Sequence, residues 1–224
     1  VVDLQLAGRS VPALIQSTKM GFIFLLNRES GEPLIEVERR KVPRFGPLKD
    51  QLSPTQPFPP EAFQVSRRYE KGRSPMGLCS SMEEESQAGE IYTPITEQWT
   101  IGLPSNMGAT NWGGVAVDAQ RGLIALHSNN IAFRTKLLDK SKASSELFET
   151  ISDADRSIEE RQAAYQAYRA FFDIGDDVEL GVQAGANYAM ARHISFDPYL
   201  GIVPCGGFPL GEVMVIDINE RRQR

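Results

Sequence analysis

Apolar residues come in short runs along this chain, and most of the runs end on Asn, Asp or Gly. Val11-Pro12-Ala13-Leu14-Ile15-Gln16 and Gly21-Phe22-Ile23-Phe24-Leu25-Leu26-Asn27 are two such runs, separated by a tight turn. Runs of this length bounded by turn residues predict strands. Val1-Val2-Asp3-Leu4 reads as the middle of another strand. Arg28-Glu29-Ser30-Gly31-Glu32 predicts a hairpin turn, and Pro33-Leu34-Ile35-Glu36-Val37 predicts the strand that returns from it. A helical period is clear only over residues 152–173. There Ser157 and Glu160 have the spacing of a capping box, and Ile158, Tyr165, Tyr168 and Phe172 share one side. Gly175 follows as a stop, and the pattern predicts a surface helix packed on a sheet.

The strand–turn–strand unit of residues 21–37 has weaker copies. Residues 114–126 form one, with Asp118 at its turn, and a third begins at Val213 and ends with Asp217 and Asn219. Loose repetition of this kind predicts an array of β-propeller blades. Residues 41–106 carry few regular signals. Pro43, Pro47, Pro54, Pro57, Pro59 and Pro60 punctuate a long loop there, and Met82-Glu83-Glu84-Glu85-Ser86 predicts a solvated acidic face. A loop this long inside a compact domain is often functional.

Composition narrows the classes. The chain has 224 residues, enough for one sizeable domain or part of a larger one. Its 19 glycines and 14 prolines favour a loop-rich β protein over a helix bundle. A net charge of −5 argues against a nucleic-acid partner. The two cysteines, Cys79 and Cys205, form no CxxC, so their spacing implies neither a zinc site nor a disulfide framework. They could pair in an oxidising compartment; otherwise Cys205 reads as a small buried hydrophobe. The longest apolar run, Phe22-Ile23-Phe24-Leu25-Leu26, is far too short to span a bilayer, and no signal peptide is visible. The chain starts in the middle of a strand and stops just after another, Val213-Met214-Val215-Ile216-Asp217-Ile218, so both ends read as cut, which predicts a fragment truncated at both ends.

Candidate chemistry gathers in residues 107–118. Gly113 and Gly114 allow close approach of the backbone, Trp112 offers an aromatic face, and Asn111 offers a donor and an acceptor. Val115 and Val117 then anchor the loop in a sheet. The pattern fits either a Gly-rich turn around a core Trp or a loop lying against a flat ligand. Lys19, between two apolar strands, is either a solvated turn residue or a cation aimed into a cavity. His127 and His193, the only histidines, have no Cys or Glu at metal-ligand spacing and read as structural. Asp118 reads as a blade-turn residue.

Four stretches, in order, carry a resemblance to a known family. Residues 12–34 are similar almost position for position to a stretch of the membrane-bound quinoprotein dehydrogenases that use pyrroloquinoline quinone (PQQ). Ser53-Pro54-Thr55-Gln56-Pro57-Phe58-Pro59 and Asn111-Trp112-Gly113-Gly114-Val115-Ala116-Val117-Asp118 resemble the same family, as does Gly201-Ile202-Val203-Pro204-Cys205 with one residue added. The resemblance implies an all-β chain: a partial propeller of about three to four blades cut from eight, with a helical insertion near 152–173. It implies PQQ as cofactor, with Lys19 on its ortho-quinone oxygens and Asn111 and Trp112 against the ring. In the parent enzyme it implies a divalent cation (calcium or magnesium), oxidation of glucose, quinate, shikimate or a polyol, and transfer of electrons to ubiquinone at the periplasmic face of the inner membrane. Membrane association would run through parts missing here. The family's general-base Asp and its principal metal-ligand carboxylate match nothing in this chain, so the resemblance implies no catalytic residue or metal ligand within it and an inactive isolated fragment. Pro209-Leu210-Gly211 stands where the family has Pro-Trp-Gly, so one aromatic contact differs. Residues 41–106 show no recognisable sugar-binding pattern. A non-catalytic propeller segment acting only in protein association is the competing reading.

Overall fold

A computed structural model describes residues 1–224. In chain order it contains β1 (Val2–Leu6), β2 (Arg9–Ser17), β3 (Ile23–Asn27), β4 (Glu38–Lys41), β5 (Thr55–Phe58), α1 (Ser80–Glu84), β6 (Ser86–Ala88) and β7 (Trp99–Gly102). There follow β8 (Val115–Asp118), β9 (Leu123–Asn129), β10 (Phe133–Asp139), α2 (Ser145–Ser152), α3 (Ile158–Phe171), β11 (Glu179–Gly181), β12 (Tyr188–Ile194), β13 (Gly211–Asp217) and β14 (Arg222–Gln223). The chain is mostly β with few helices. Its strands form a three-stranded sheet β1-β2-β3, a five-stranded sheet β11-β12-β10-β7-β6, a four-stranded sheet β14-β13-β9-β8 and the β4-β5 ribbon.

Local chemistry explains the first sheet. Ala7 and Gly8 both have positive φ, and Leu6 pairs with Arg9, which is the two-residue hairpin whose twist suits antiparallel strands. After β3, the Asn27 side chain accepts the N–H groups of Glu29 and Ser30 and closes the expected turn. The return strand expected at 33–37 does not form. A single bridge joins Leu26 to Pro33, made by the Asn27 N–H on the Glu32 carbonyl and the Leu34 N–H on the Leu25 carbonyl. Ile35 still reaches the core.

The three-stranded and four-stranded sheets face one another. Leu4, Ala13, Ile23 and Leu25 meet Ile124, Leu126, Ile216 and Ile218 in one cluster, which Phe63 and Val65 join from the intervening segment. The blade turns read from sequence are present: Asp118 accepts from Gln120 and Arg121, and Asp217 accepts from Glu220.

The helical region differs from expectation in extent. The helix expected over 152–173 is α3, shorter at both ends and carrying the capping box in which Ser157 and Glu160 satisfy each other's N–H, and a second helix, α2, precedes it. Tyr168 is fully buried over Leu138, Ala189 and Ala191, whereas Ile158, in the first turn, is exposed. The segment 41–106 is also more ordered than its prolines suggest, since β7 lies inside the five-stranded sheet between β6 and β10.

Cys205 is not a free hydrophobe. It is disulfide-bonded to Cys79 across 126 residues, with the Cα atoms 5.6 Å apart, in a cluster with Tyr69, Met82, Ile101, Leu103 and Ala132. Spacing alone could not assign the pair, because pairing depends on Cα proximity that only the fold creates.

The loop leading to Cys205 is organised by Asp197. Its buried carboxylate accepts the N–H groups of Tyr199, Leu200, Ile202 and Val203 at 3.2, 2.6, 3.1 and 2.8 Å. Burial pushes the carboxyl up, but the four donors outweigh it and hold it below the usual carboxylate range. A pKa lower in the folded than in the unfolded state stabilises above the unfolded value, and that contribution is lost as pH falls through the folded value. Asp197→Asn should therefore lower the melting temperature at pH 7, and its gap from the parent protein should close as both are melted at progressively lower pH. An equal gap at pH 7 and pH 3 would refute this account.

Candidate functional site

Lys19 sits on the turn between β2 and β3. Thr18 braces that turn, accepting the Phe22 N–H with its hydroxyl and donating to the Phe22 carbonyl. Gly21, at φ +71°, lies so close to Ser66 that an added Cβ would stand 2.4 Å from the Ser66 Cβ. The turn is docked onto the loop 105–114. Ala109 N–H donates to the Lys19 carbonyl at 3.0 Å, and the Thr110 hydroxyl donates to the Thr18 carbonyl at 3.1 Å. The loop is in turn tied to β9, where Asn129 N–H donates to the Ala109 carbonyl at 2.8 Å.

This docking brings the three sequence candidates together. Lys19 Nζ donates to the Asn106 carbonyl at 2.8 Å and stands 5.7 Å from the centre of the Trp112 ring. Trp112 donates its indole N–H to the Met107 carbonyl at 2.6 Å, which orients a ring that is 74% exposed. Gly108, at φ +88°, is the common neighbour of the other two: a Cβ there would stand 2.0 Å from Asn111 Oδ1 and 3.0 Å from Lys19 Cγ. Any other residue at this position would separate Lys19 from Asn111. The close approach allowed by Gly113 serves the protein itself, since the ring of His127 occupies the space where a side chain would be, 2.0 Å from the ideal Cβ.

The electrostatics of the cluster are unbalanced. The partner of Lys19 is a neutral carbonyl, so its charge is not cancelled locally. Asn106 Oδ1 and Asn111 Oδ1 are buried without hydrogen-bond partners. Asn106 also lines a cleft of about 310 Å³ with Met20, Tyr92, Leu103, Pro104 and Phe133, whose walls do not include Lys19, Asn111 or Trp112. Tyr92 packs edge-on against Phe22 and Phe58 there, and burial pushes its phenol up. A lysine ammonium beside an exposed aromatic face suits a planar, oxygen-rich, anionic ligand.

Sequence reasoning did not find Asn106, and it placed Met107 and Thr110 in the candidate stretch without a role; His127, read as structural, packs against Gly113. Asn106 and Met107 act through backbone carbonyls, which leave no sequence signal. His193 is paired, its Nε2 2.9 Å from Asp177 Oδ2. Asp118 stays at its blade turn, away from this cluster.

Comparison with known proteins adds the following. The sequence model of the family described as PQQ, glucose/ethanol/alcohol dehydrogenase, beta-propeller domain, matches residues 1–224. The chain is 29% identical to the quinoprotein glucose dehydrogenase of Escherichia coli (strain K12) over 147 residues, 62% of this chain and 18% of that protein. It is 29% identical to the glycerol dehydrogenase large subunit of Gluconobacter thailandicus over 222 residues, 95% of this chain and 28% of that protein. It is 24% identical to the probable quinate dehydrogenase (quinone) of Xanthomonas campestris pv. juglandis over 225 residues, 96% of this chain and 25% of that protein. The chain thus spans less than a third of the length of these relatives. No solved structure matches it. No helix is long and apolar enough to cross a membrane.

Proposed function

Since the chain belongs to the glucose/ethanol/alcohol dehydrogenase β-propeller family of PQQ-dependent enzymes, we propose that Lys19, Asn111 and Trp112 form part of a PQQ site in a dehydrogenase of sugars, polyols or cyclic alcohols. The observation that carries the reading is the Lys19 ammonium, held by the Asn106 carbonyl beside the exposed ring of Trp112. PQQ, when bound, supplies the redox chemistry, taking up hydride from the alcohol carbon. The protein's part is to bind, orient and polarise. Lys19 places a positive charge where negative charge develops on a quinone oxygen. Asn111 offers its amide to the rim of the ring, and Trp112 offers a face to stack on. The Asn106 carbonyl keeps the ammonium from swinging into solvent.

The finer parts of the reading follow the family. A blade array of about three to four blades accounts for the two facing sheets and the five-stranded sheet beside them. The general base and the carboxylate that holds a divalent cation lie outside these 224 residues, and the electron acceptor is ubiquinone. A periplasmic location agrees with the buried Cys79–Cys205 disulfide, since such bonds persist in oxidising compartments. On this reading the 224 residues alone give no PQQ-dependent dye reduction with glucose, quinate or glycerol, with or without calcium.

Binding can be tested apart from turnover. Titration of PQQ into the protein, followed by tryptophan quenching and calorimetry, should saturate. Lys19→Ala and Asn111→Ala should each weaken binding by about tenfold, the size of one charged or buried hydrogen bond. Saturation with unchanged affinity in both variants would place the cofactor elsewhere.

A further inference from the structure

On the other face of the five-stranded sheet lies a second cleft, of about 520 Å³. Its floor is a cross-strand pair: Arg134 of β10 is directly opposite His193 of β12, so both side chains stand on the same side. Ser81 and Glu85, from α1 and its end, form one wall; Asp177, before β11, and Phe196, after β12, contribute the rest. None of these residues belongs to the Lys19 cluster.

Arg134 is the unusual member. Its guanidinium stacks on Trp99 at 4.7 Å and its side chain is only 17% exposed. It has no hydrogen-bonded acceptor: Nε is buried without a partner, and the only ion pair is a long one, 3.8 Å, to Glu85. A buried guanidinium N–H without an acceptor is costly, and no other Arg134 N–H has a protein acceptor within hydrogen-bonding distance. Glu85 and Asp177 stand at the rim with 70% of each side chain exposed; Asp177 is paired with His193 through one oxygen, and both carboxylates keep oxygens open to a ligand. His193 is committed to Asp177 through Nε2. Burial, with Arg134 nearby, lowers its pKa against the pull of Asp177, so it adds no charge near neutral pH. Asp197 also lines the cleft, but its carboxylate is already used by four backbone N–H groups.

The remaining charges decide the ligand class. An anion would meet Glu85 and Asp177, and a cation would meet Arg134. A hydroxyl group accepts from a guanidinium and donates to a carboxylate, so neighbouring hydroxyls satisfy both. Phe196 supplies an apolar surface for the C–H groups of such a molecule. The volume lies within the range of small-molecule sites. We infer that the cleft between α1 and the Asp177 segment binds a neutral polyhydroxylated molecule, a sugar or polyol, through Arg134, Glu85 and Asp177. This site does not depend on the PQQ reading.

The test is calorimetric titration of the full chain with D-glucose, D-glucuronate and D-glucosamine, which share the pyranose ring and differ in charge. It is run in a Lys19→Ala background, so that the first site contributes nothing and its failure cannot be mistaken for failure here. D-glucose should bind saturably, and the two charged analogues should bind several-fold more weakly. Glu85→Gln, on an exposed side chain that the fold does not need, should weaken glucose binding, and Arg134→Gln should weaken it by about tenfold or more, the size of a charged hydrogen bond. Soaking D-glucose into crystals of the unaltered protein gives a reading that no variant's folding can confuse. Tighter binding of D-glucuronate, an unchanged affinity in Glu85→Gln, or a cleft holding only water after soaking would overturn the inference.

Discussion

Cys79→Ser is expected to destabilise this fold by about 5 kcal/mol, an upper figure set by the loop-closure entropy of a cross-link spanning more than a hundred residues. The bond joins residues 126 apart in sequence, so in the unfolded chain it forbids a large share of conformations. Its position adds to the effect. The pair sits fully buried between α1 and the loop after β12, two regions that few regular hydrogen bonds connect. A domain's whole stability is typically 5–15 kcal/mol, so the reduced protein should lose most of its margin. Equilibrium unfolding in urea of the oxidised protein, the reduced protein and Cys79→Ser gives the comparison. The midpoint should fall strongly and equally in the last two. A difference below about 1 kcal/mol would mean that these regions hold together by packing alone, contrary to the entropic account.

Lys19→Ala in the complete PQQ-loaded enzyme should reduce kcat by about 10²–10³-fold, the range seen when one preorganised donor to a developing oxyanion is removed. The prediction rests on the fixed position of the ammonium between the Asn106 carbonyl and the Trp112 ring. A charge held in place needs no reorganisation when negative charge appears, whereas a mobile lysine would first have to be ordered. Lys19→Arg should recover only part of the rate, because a guanidinium is longer and planar and cannot keep the same contact with Asn106. Steady-state dye reduction at saturating PQQ separates this from a loss of cofactor. If kcat is unchanged and only the PQQ requirement rises, Lys19 binds the cofactor without stabilising the reacting charge.

The pattern of short apolar runs and turn residues determined the β class, the strands at the start of the chain, the Asn27 and Asp118 turns and the capping box of α3. Each of these is set by residues a few positions apart, which is the range over which strand alternation, turn chemistry and capping operate. The resemblance, also read from sequence, singled out Lys19, Asn111 and Trp112. Tertiary structure alone decided the rest. The strand that the local pattern favours at 33–37 stops after one bridge to β3. β7, hidden among prolines, becomes an inner strand because β6 and β10 offer it hydrogen bonds on both sides. Cys79 finds Cys205, Lys19 finds the carbonyl of Asn106, and Arg134 comes to face His193 because separate segments dock. Contacts between distant segments depend on how whole sheets pack, and backbone carbonyls are the same at every position, so neither leaves a mark in the local order of side chains.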